Sequence, residues 1–230
     1  MNPLGLIGNE SNPTLLAYMQ TLSNVLAYYP MDEASGSMIN RAPATYGTLN
    51  GTVGGVMQGV AGQTGRAYSF NGTDNSVTIG AIPFGTAGTI GLLVNFDIDS
   101  TNRYFFDSTA TNRFLFYKRN DAGYGHYLNS NAIGDAAGTF TTIANDSTWT
   151  SIIFTWDSSL GSNKQAIYKN GSLLANANVS IAAVTPANFY VGMRNDGAQY
   201  YNGLMQHLFM MSRAMTAAEA LKVAQLSGLA

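Results

Sequence analysis

The chain of 230 residues contains no cysteine. Disulfides, thiolate metal ligands and a cysteine nucleophile are therefore excluded, and packing alone must hold the fold together. Charge is also scarce, since Asp, Glu, Lys and Arg make up 10% of the residues against a usual ~25%, with a formal net charge of -2. The 11 basic residues are scattered singly. They leave no electrostatic footprint for nucleic acid and no basic flank for a membrane-surface helix, so neither is an expected partner. No apolar run approaches the ~20 residues of a membrane span. The opening "MNPLGLIGNESNP" lacks a basic region and is broken by Gly5 and Gly8, so it does not read as a secretory signal.

Catalytic groupings are equally sparse. His126 and His207 lie far apart, and neither has a His or Cys at metal spacing. There is no Gly-x-Ser-x-Gly elbow, and "GTVGGVMQG" lacks the Lys-Ser/Thr end of a phosphate loop. Glu10, Glu33 and Glu219 each stand without a second acid two or four residues away on a strand. Asp97 and Asp99 share a strand face, but "STNR" follows at once, and they read as a structural cap at a turn instead of the paired carboxylates of a glycosidase. The chain is expected not to be an enzyme.

What is present is β pattern. Hydrophobic residues at 46% suffice for the core of one large sandwich, while 25 glycines and many asparagines give a neutral, hydrogen-bonding surface. In "TIGLLVNFDID" the residues Ile90, Leu92, Val94, Phe96 and Ile98 alternate with smaller or polar ones, the period of a strand with one buried face. The alternation recurs in "RFLFYKR", "WTSIIFTWD", "KQAIYK", "NFYVGMR" and "GLMQHLFMM". Asn-Gly pairs at 50-51, 71-72, 170-171 and 202-203 are hairpin signals, because both central residues of a type I′ turn take positive φ. Trp149 and Trp156 are an odd number apart in one predicted strand, which sends one to the core and one outward.

Helices are expected only at the ends. Asn12-Pro13 reads as a cap and first position of a helix running to about Ser23, with Leu15, Met19 and Leu22 on one face. Thr216 and Glu219 form a capping box for a last helix ending near Gly228. Residues 1 to 25 are thus an arm and helix whose apolar face would anchor the chain, and 26 to 230 are one antiparallel β-sandwich.

The order of "LAYYPMDEASGS", "GVAGQTGRAYSFNGTDNSVTIG", "DSTWTSIIFTWD…AIYKNGSLL" and "FYVGMRNDGAQYYNGLMQHLFMMSRAMTAAEAL" resembles the laminin-G-like and pentraxin-like branch of the concanavalin A-like jelly rolls. The resemblance covers residues 26 to 226 and implies an all-β jelly-roll sandwich. Gln206 and His207 depart from it, standing where an acidic pair is usual. By the same resemblance Asp74 and Asn75 meet the later loop carrying Asn195 and Asp196, with Gln199 beside them, in an all-oxygen calcium shell; a turn closed by its own side chains is the alternative reading. No cofactor is required.

Tyr124, Tyr127, Tyr200 and Tyr201 offer apolar faces and hydroxyls that suit sugar rings or protein surfaces. With the front segment they lead to two expectations. The first is a structural or adhesive component of a tailed-phage virion, made in the host cytoplasm, with other virion proteins or copies of itself as partners. The second is a lectin module for cell-surface glycans, with calcium as its ligand.

Overall fold

A computed structural model describes residues 14–43, 49–96, 99–108, 113–119, 124–128, 131–133, 147–183 and 185–230, with only the backbone of 124–128 and 131–133. In chain order the elements are α1 (Leu15–Thr21), β1 (Val25–Tyr29), β2 (Thr52–Gly54), β3 (Met57–Ala61), β4 (Arg66–Asn71), β5 (Ser76–Ile79), β6 (Ala87–Asn95), β7 (Arg103–Ser108) and β8 (Phe114–Lys118). There follow β9 (Tyr124–Leu128), β10 (Asn131–Ile133), β11 (Thr150–Asp157), β12 (Gln165–Lys169), β13 (Ser172–Ala177), β14 (Phe189–Val191), β15 (Asn202–Met211) and α2 (Ala217–Leu226).

The strands form two antiparallel sheets. One runs β13-β12-β11-β6-β15-β4-β3 with β1 also paired to β15, and the other runs β10-β9-β8-β7-β14-β5-β2. Between them lies the main core, where the alternating residues Ile90, Leu92, Val94 and Phe96 meet Phe105, Phe106, Phe114 and Phe116 from the facing sheet. The expected all-β sandwich with a short helix at each end is the observed fold.

Local chemistry explains most boundaries. Asn170 and Gly171 both take positive φ, at 47° and 78°, closing the β12–β13 hairpin as expected. Asn202-Gly203 is not a hairpin. It opens β15 and pairs with Asn71 and Phe70, and Gly203 takes φ 142° because Asn95 and Phe96 press against the place a side chain would occupy. Strand β6 is buried on both faces, not one, since Gly91 and Leu93 are buried as well. Trp156 is in the core with Nε1 donating to the Gly85 carbonyl at 3.2 Å, while Trp149 precedes β11 and is half-buried.

At the ends, Thr14 is the cap of α1, accepting from the Ala17 amide at 3.2 Å, two residues later than the sequence suggested; Asn12 and Pro13 lie outside the described residues. Helix α2 has its capping box, with Arg213 adding two hydrogen bonds to the same Glu219 carboxylate. Gly228, at φ 69°, ends it by donating to the Gln225 carbonyl at 3.0 Å. Among the described residues no helix is long and apolar enough to cross a membrane.

Candidate functional site

The two outer faces of the sandwich differ. On the eight-stranded sheet a second apolar cluster joins Leu15 and Met19 of α1 and Val223 of α2 to Val25, Tyr28, Ile153, Phe209 and Met211. The helices therefore close this face. Leu15 and Met19 are buried, and Leu22 is half-buried against the same cluster. The surface that covers the expected anchoring face is thus the chain's own sheet.

The outer face of the seven-stranded sheet carries polar and aromatic side chains. Phe189 and Val191 point into the core, so Tyr190 between them points out. Its partner across β7 is Asp107, and Tyr104 of β7 pairs with Tyr117 of β8 on the same side. The Tyr104 and Tyr117 rings stack at 4.8 Å with 12° between planes. Burial pushes the Tyr104 phenol above its ordinary pKa, opposed by the Arg113 and Arg194 charges.

Asp107 organises the polar half. Fully buried, its carboxylate accepts from the Ser108 amide at 2.8 Å, the Asn195 amide at 2.9 Å and Arg113 Nε at 2.6 Å, and from Arg113 Nη2 as well. Arg113 Nη2 also donates to Asn195 Oδ1 at 3.2 Å, which ties the loop after β14 to the sheet. In that loop Arg194 donates to Asp196 through Nε at 2.8 Å and to Gln199 Oε1 at 2.8 Å. The guanidinium holds the Asp196 carboxyl below the usual carboxylate range. The result is a partly exposed platform of tyrosines, guanidiniums and amides whose geometry is fixed before any ligand arrives.

A laminin-G-type model described as the Concanavalin A-like lectin/glucanases superfamily matches residues 58–220, well over half of the chain. The chain belongs to this superfamily. No curated protein sequence is similar to it. Among solved structures it is similar to domain 4 of AbnA, an extracellular arabinanase from Geobacillus stearothermophilus in complex with arabinotriose, at 18% identity and TM-score 0.67, covering 88% of this chain and 98% of that one. The botulinum neurotoxin serotype D binding domain follows at 10% identity and TM-score 0.64, covering 88% of this chain and 51% of that one. Trypanosoma rangeli sialidase in complex with sialic acid is similar at 12% identity and TM-score 0.64, covering 90% and 34%. The chain thus spans nearly all of the arabinanase domain but about half of the toxin chain and a third of the sialidase.

Within this member of the superfamily the sequence candidates divide. Asn195, Asp196 and Gln199 fall in the platform loop, and Tyr200 lies half-buried beside them with its carbonyl accepting from Arg103 Nη1 at 3.1 Å. Tyr201 is corrected: it is a core residue, edge-on to Phe70, with its hydroxyl donating to the Asn95 and Leu204 carbonyls. Tyr124 and Tyr127 sit in β9, Tyr127 in register with Leu115, and their side chains lie outside the described residues, as does that of His126.

Asp74 Oδ1 accepts from the Asn71 and Asn75 amides at 2.8 and 3.1 Å, and Asn75 Oδ1 accepts from the Asn71 backbone at 3.1 Å. That is the bonding of a turn closed by its own side chains. Asp196 is spent on Arg194, and Asn195 on Asp107, Ser108 and Arg113. The four expected calcium ligands are thus each bonded within the protein, and no group of three His, Asp or Glu among the described residues could hold a metal ion.

Asp97 lies outside the described residues, while Asp99 bonds Arg103 Nε at 2.9 Å and Lys118 Nζ at 2.6 Å. Burial raises the Asp99 pKa, but these hydrogen bonds outweigh it and hold the carboxyl at about 2. Sequence reasoning missed Tyr104, Asp107, Arg113, Tyr117 and Tyr190. Only Tyr190 had a local signal, the outward position in an alternating Phe-Tyr-Val.

Proposed function

We propose that the chain is a non-catalytic carbohydrate-binding module that holds its ligand on the outer face of the seven-stranded sheet. The observation that carries this reading is the contrast between the faces: two helices seal one, while the other presents Tyr117 and Tyr190 beside the Asp107–Arg113–Asn195 cluster. Sugar rings have apolar faces that stack on tyrosine and hydroxyls that take hydrogen bonds, and a pre-bonded cluster offers both without reordering. The arabinotriose held by the similar arabinanase domain, and the sialic acid held by the similar sialidase, are in keeping with an oligosaccharide ligand. Asp99 is bonded to Arg103 and Lys118, which is in keeping with a structural part for it and a binding role for the module.

A glycan array with and without calcium, followed by calorimetry on its hits and on arabinotriose, tests the reading. Tyr117→Ala and Tyr190→Ala should each weaken binding roughly three- to ten-fold. An array without hits, or affinity untouched by both substitutions, would remove it. The virion role expected alongside it has no observation in its support, and the front-helix face expected to anchor the chain packs into the sandwich.

A further inference from the structure

On the sealed side of the sandwich a cavity of about 500 Å³ lies between α1, the end of α2 and a bulge in β15. Its size is within the range of small-molecule sites. Leu15, Leu16, Pro30 and Leu226 make one wall apolar, and Thr64 of the β3–β4 turn and Arg66 at the start of β4 stand on another.

The bulge is His207. The pairing of β15 with β6 shifts between Gln206 and Phe209, His207 takes φ 54°, and its amide turns away to donate to the Pro30 carbonyl at 3.2 Å. A histidine at positive φ is an uncommon conformation that the surroundings must impose. Here Gln206 fixes the neighbouring turn by accepting from the Thr64 amide and donating to the Thr64 and Arg66 carbonyls. The imidazole is left in a chain of three groups: Tyr28 Oη is 2.8 Å from Nδ1, and Thr64 Oγ1 is 2.9 Å from Nε2.

Proton counting decides what this chain offers. A neutral imidazole carries one N–H, and the two hydroxyls carry one proton each, making three donors for two links. One hydroxyl proton is therefore spare. If it were on Tyr28, a fully buried donor would point at nothing, at a cost of about 1–3 kcal/mol. Thr64 is exposed. Tyr28 thus donates to Nδ1, Nε2–H donates to Thr64, and the free hydroxyl proton stands on Thr64 at the cavity wall. Arg66 lines the same cavity, and its side chain makes no hydrogen bond or ion pair among the described residues. Asp32, also at the cavity, lies 3.5 Å from Arg41, which offsets its charge.

We propose that this cavity is a binding site for a small carboxylate with an apolar body, the body lying on Leu15, Leu16, Pro30 and Leu226 and the carboxylate accepting from the Thr64 hydroxyl and the Arg66 guanidinium. It is separate from the tyrosine platform on the other sheet and does not depend on the function proposed for that face.

An NMR titration of the ¹⁵N-labelled full chain with octanoate, octylammonium and octan-1-ol tests it. Octanoate should move the Leu16, Thr64 and His207 signals, and the imidazole shifts should report the Nε2–H form. Thr64→Val and Arg66→Gln, both at exposed positions, should each lower octanoate affinity roughly five- to ten-fold, and Arg66→Gln should leave octan-1-ol unchanged. The proposal is overturned if octanoate moves none of these signals at roughly 10 mM, a concentration well above a weak millimolar Kd. It is also overturned if octylammonium binds as well, if both variants bind octanoate like the parent, or if His207 carries its proton on Nδ1.

Discussion

The ring of Phe209 in β15 lies over Gly91 of β6, in the space where a side chain at position 91 would begin. Glycine at this cross-strand pair lets the phenyl ring sit flat on the central strand while α1 and α2 close over it. Gly91→Ala should therefore destabilise the fold by about 1–3 kcal/mol through overpacking. Urea denaturation of Gly91→Ala, Phe209→Leu and the double variant checks this. The double variant should lose less than the sum of the two single losses, and strict additivity would mean that the ring does not depend on the glycine.

His207 should give the protein an acid-sensitive stability. Burial pushes its imidazole down to about 4. The unfolded chain, with an ordinary pKa of about 6.5, takes up the proton first as the pH falls. Its contribution is therefore intact above about pH 6.5, declines towards pH 4 and levels off below, a loss of about 3 kcal/mol in all. His207→Asn, which tolerates positive φ, should flatten that part of a denaturant-midpoint curve measured against pH. A parent curve already flat between 6.5 and 4 would contradict a buried neutral imidazole.

Calcium should leave the thermal midpoint of the parent chain where it is. Arg194 bonds Asp196, and the oxygens of Asp74 and Asn75 hold their own turn. A metal would have to displace the guanidinium from Asp196 and break the hydrogen bonds that close the Asp74–Asn75 turn. A midpoint that rises at millimolar calcium, and ceases to do so in Asp74→Ala or Asp196→Ala, would restore the calcium shell that the resemblance implied.

Glu219 takes two hydrogen bonds from Arg213 and one from the Thr216 amide. Glu219→Ala should cost about 1–2 kcal/mol, and Thr216→Ala about 1 kcal/mol, because each frees helix-start groups that nothing else satisfies. Because α2 helps to cover the eight-stranded sheet, hydrogen exchange should show its amides opening before those of β6 in either variant. Equal protection of α2 in the variants and the parent would count against the clamp.

The elements legible in the sequence were those set by neighbours along the chain. The strand-forming run "WTSIIFTWD" and positive φ at Asn170-Gly171 need no distant information, although β11 too is buried on both faces. Asn202-Gly203 has the same local signature, yet its conformation is dictated by Asn95 and Phe96, about a hundred residues earlier, and so it was misread as a hairpin. The second buried face of β6 was hidden for the same reason, since Gly91 looks bare until Phe209, from a strand much later in the chain, lies over it. The platform was harder still. Tyr104 and Asp107, Arg113 and Tyr117, Tyr190, and Asn195 come from separate segments that only the sheet order brings together. Of these, Asn195 alone was a candidate beforehand, and for a different chemistry.

Strand β15 is bonded to β1, β4 and β6 at once, so the chain's last strand is the member that joins its first to the middle of the eight-stranded sheet. On a ribosome, everything made before residue 202 must wait with the edges of β4 and β6 unpaired and the apolar sides of β1 and α1 uncovered. Sequence separations this long close slowly, and open apolar edges invite aggregation while they wait. The eight-stranded sheet should therefore close only once β15 is available, and nascent chains stalled short of β15 should be held by chaperones and cut readily by protease.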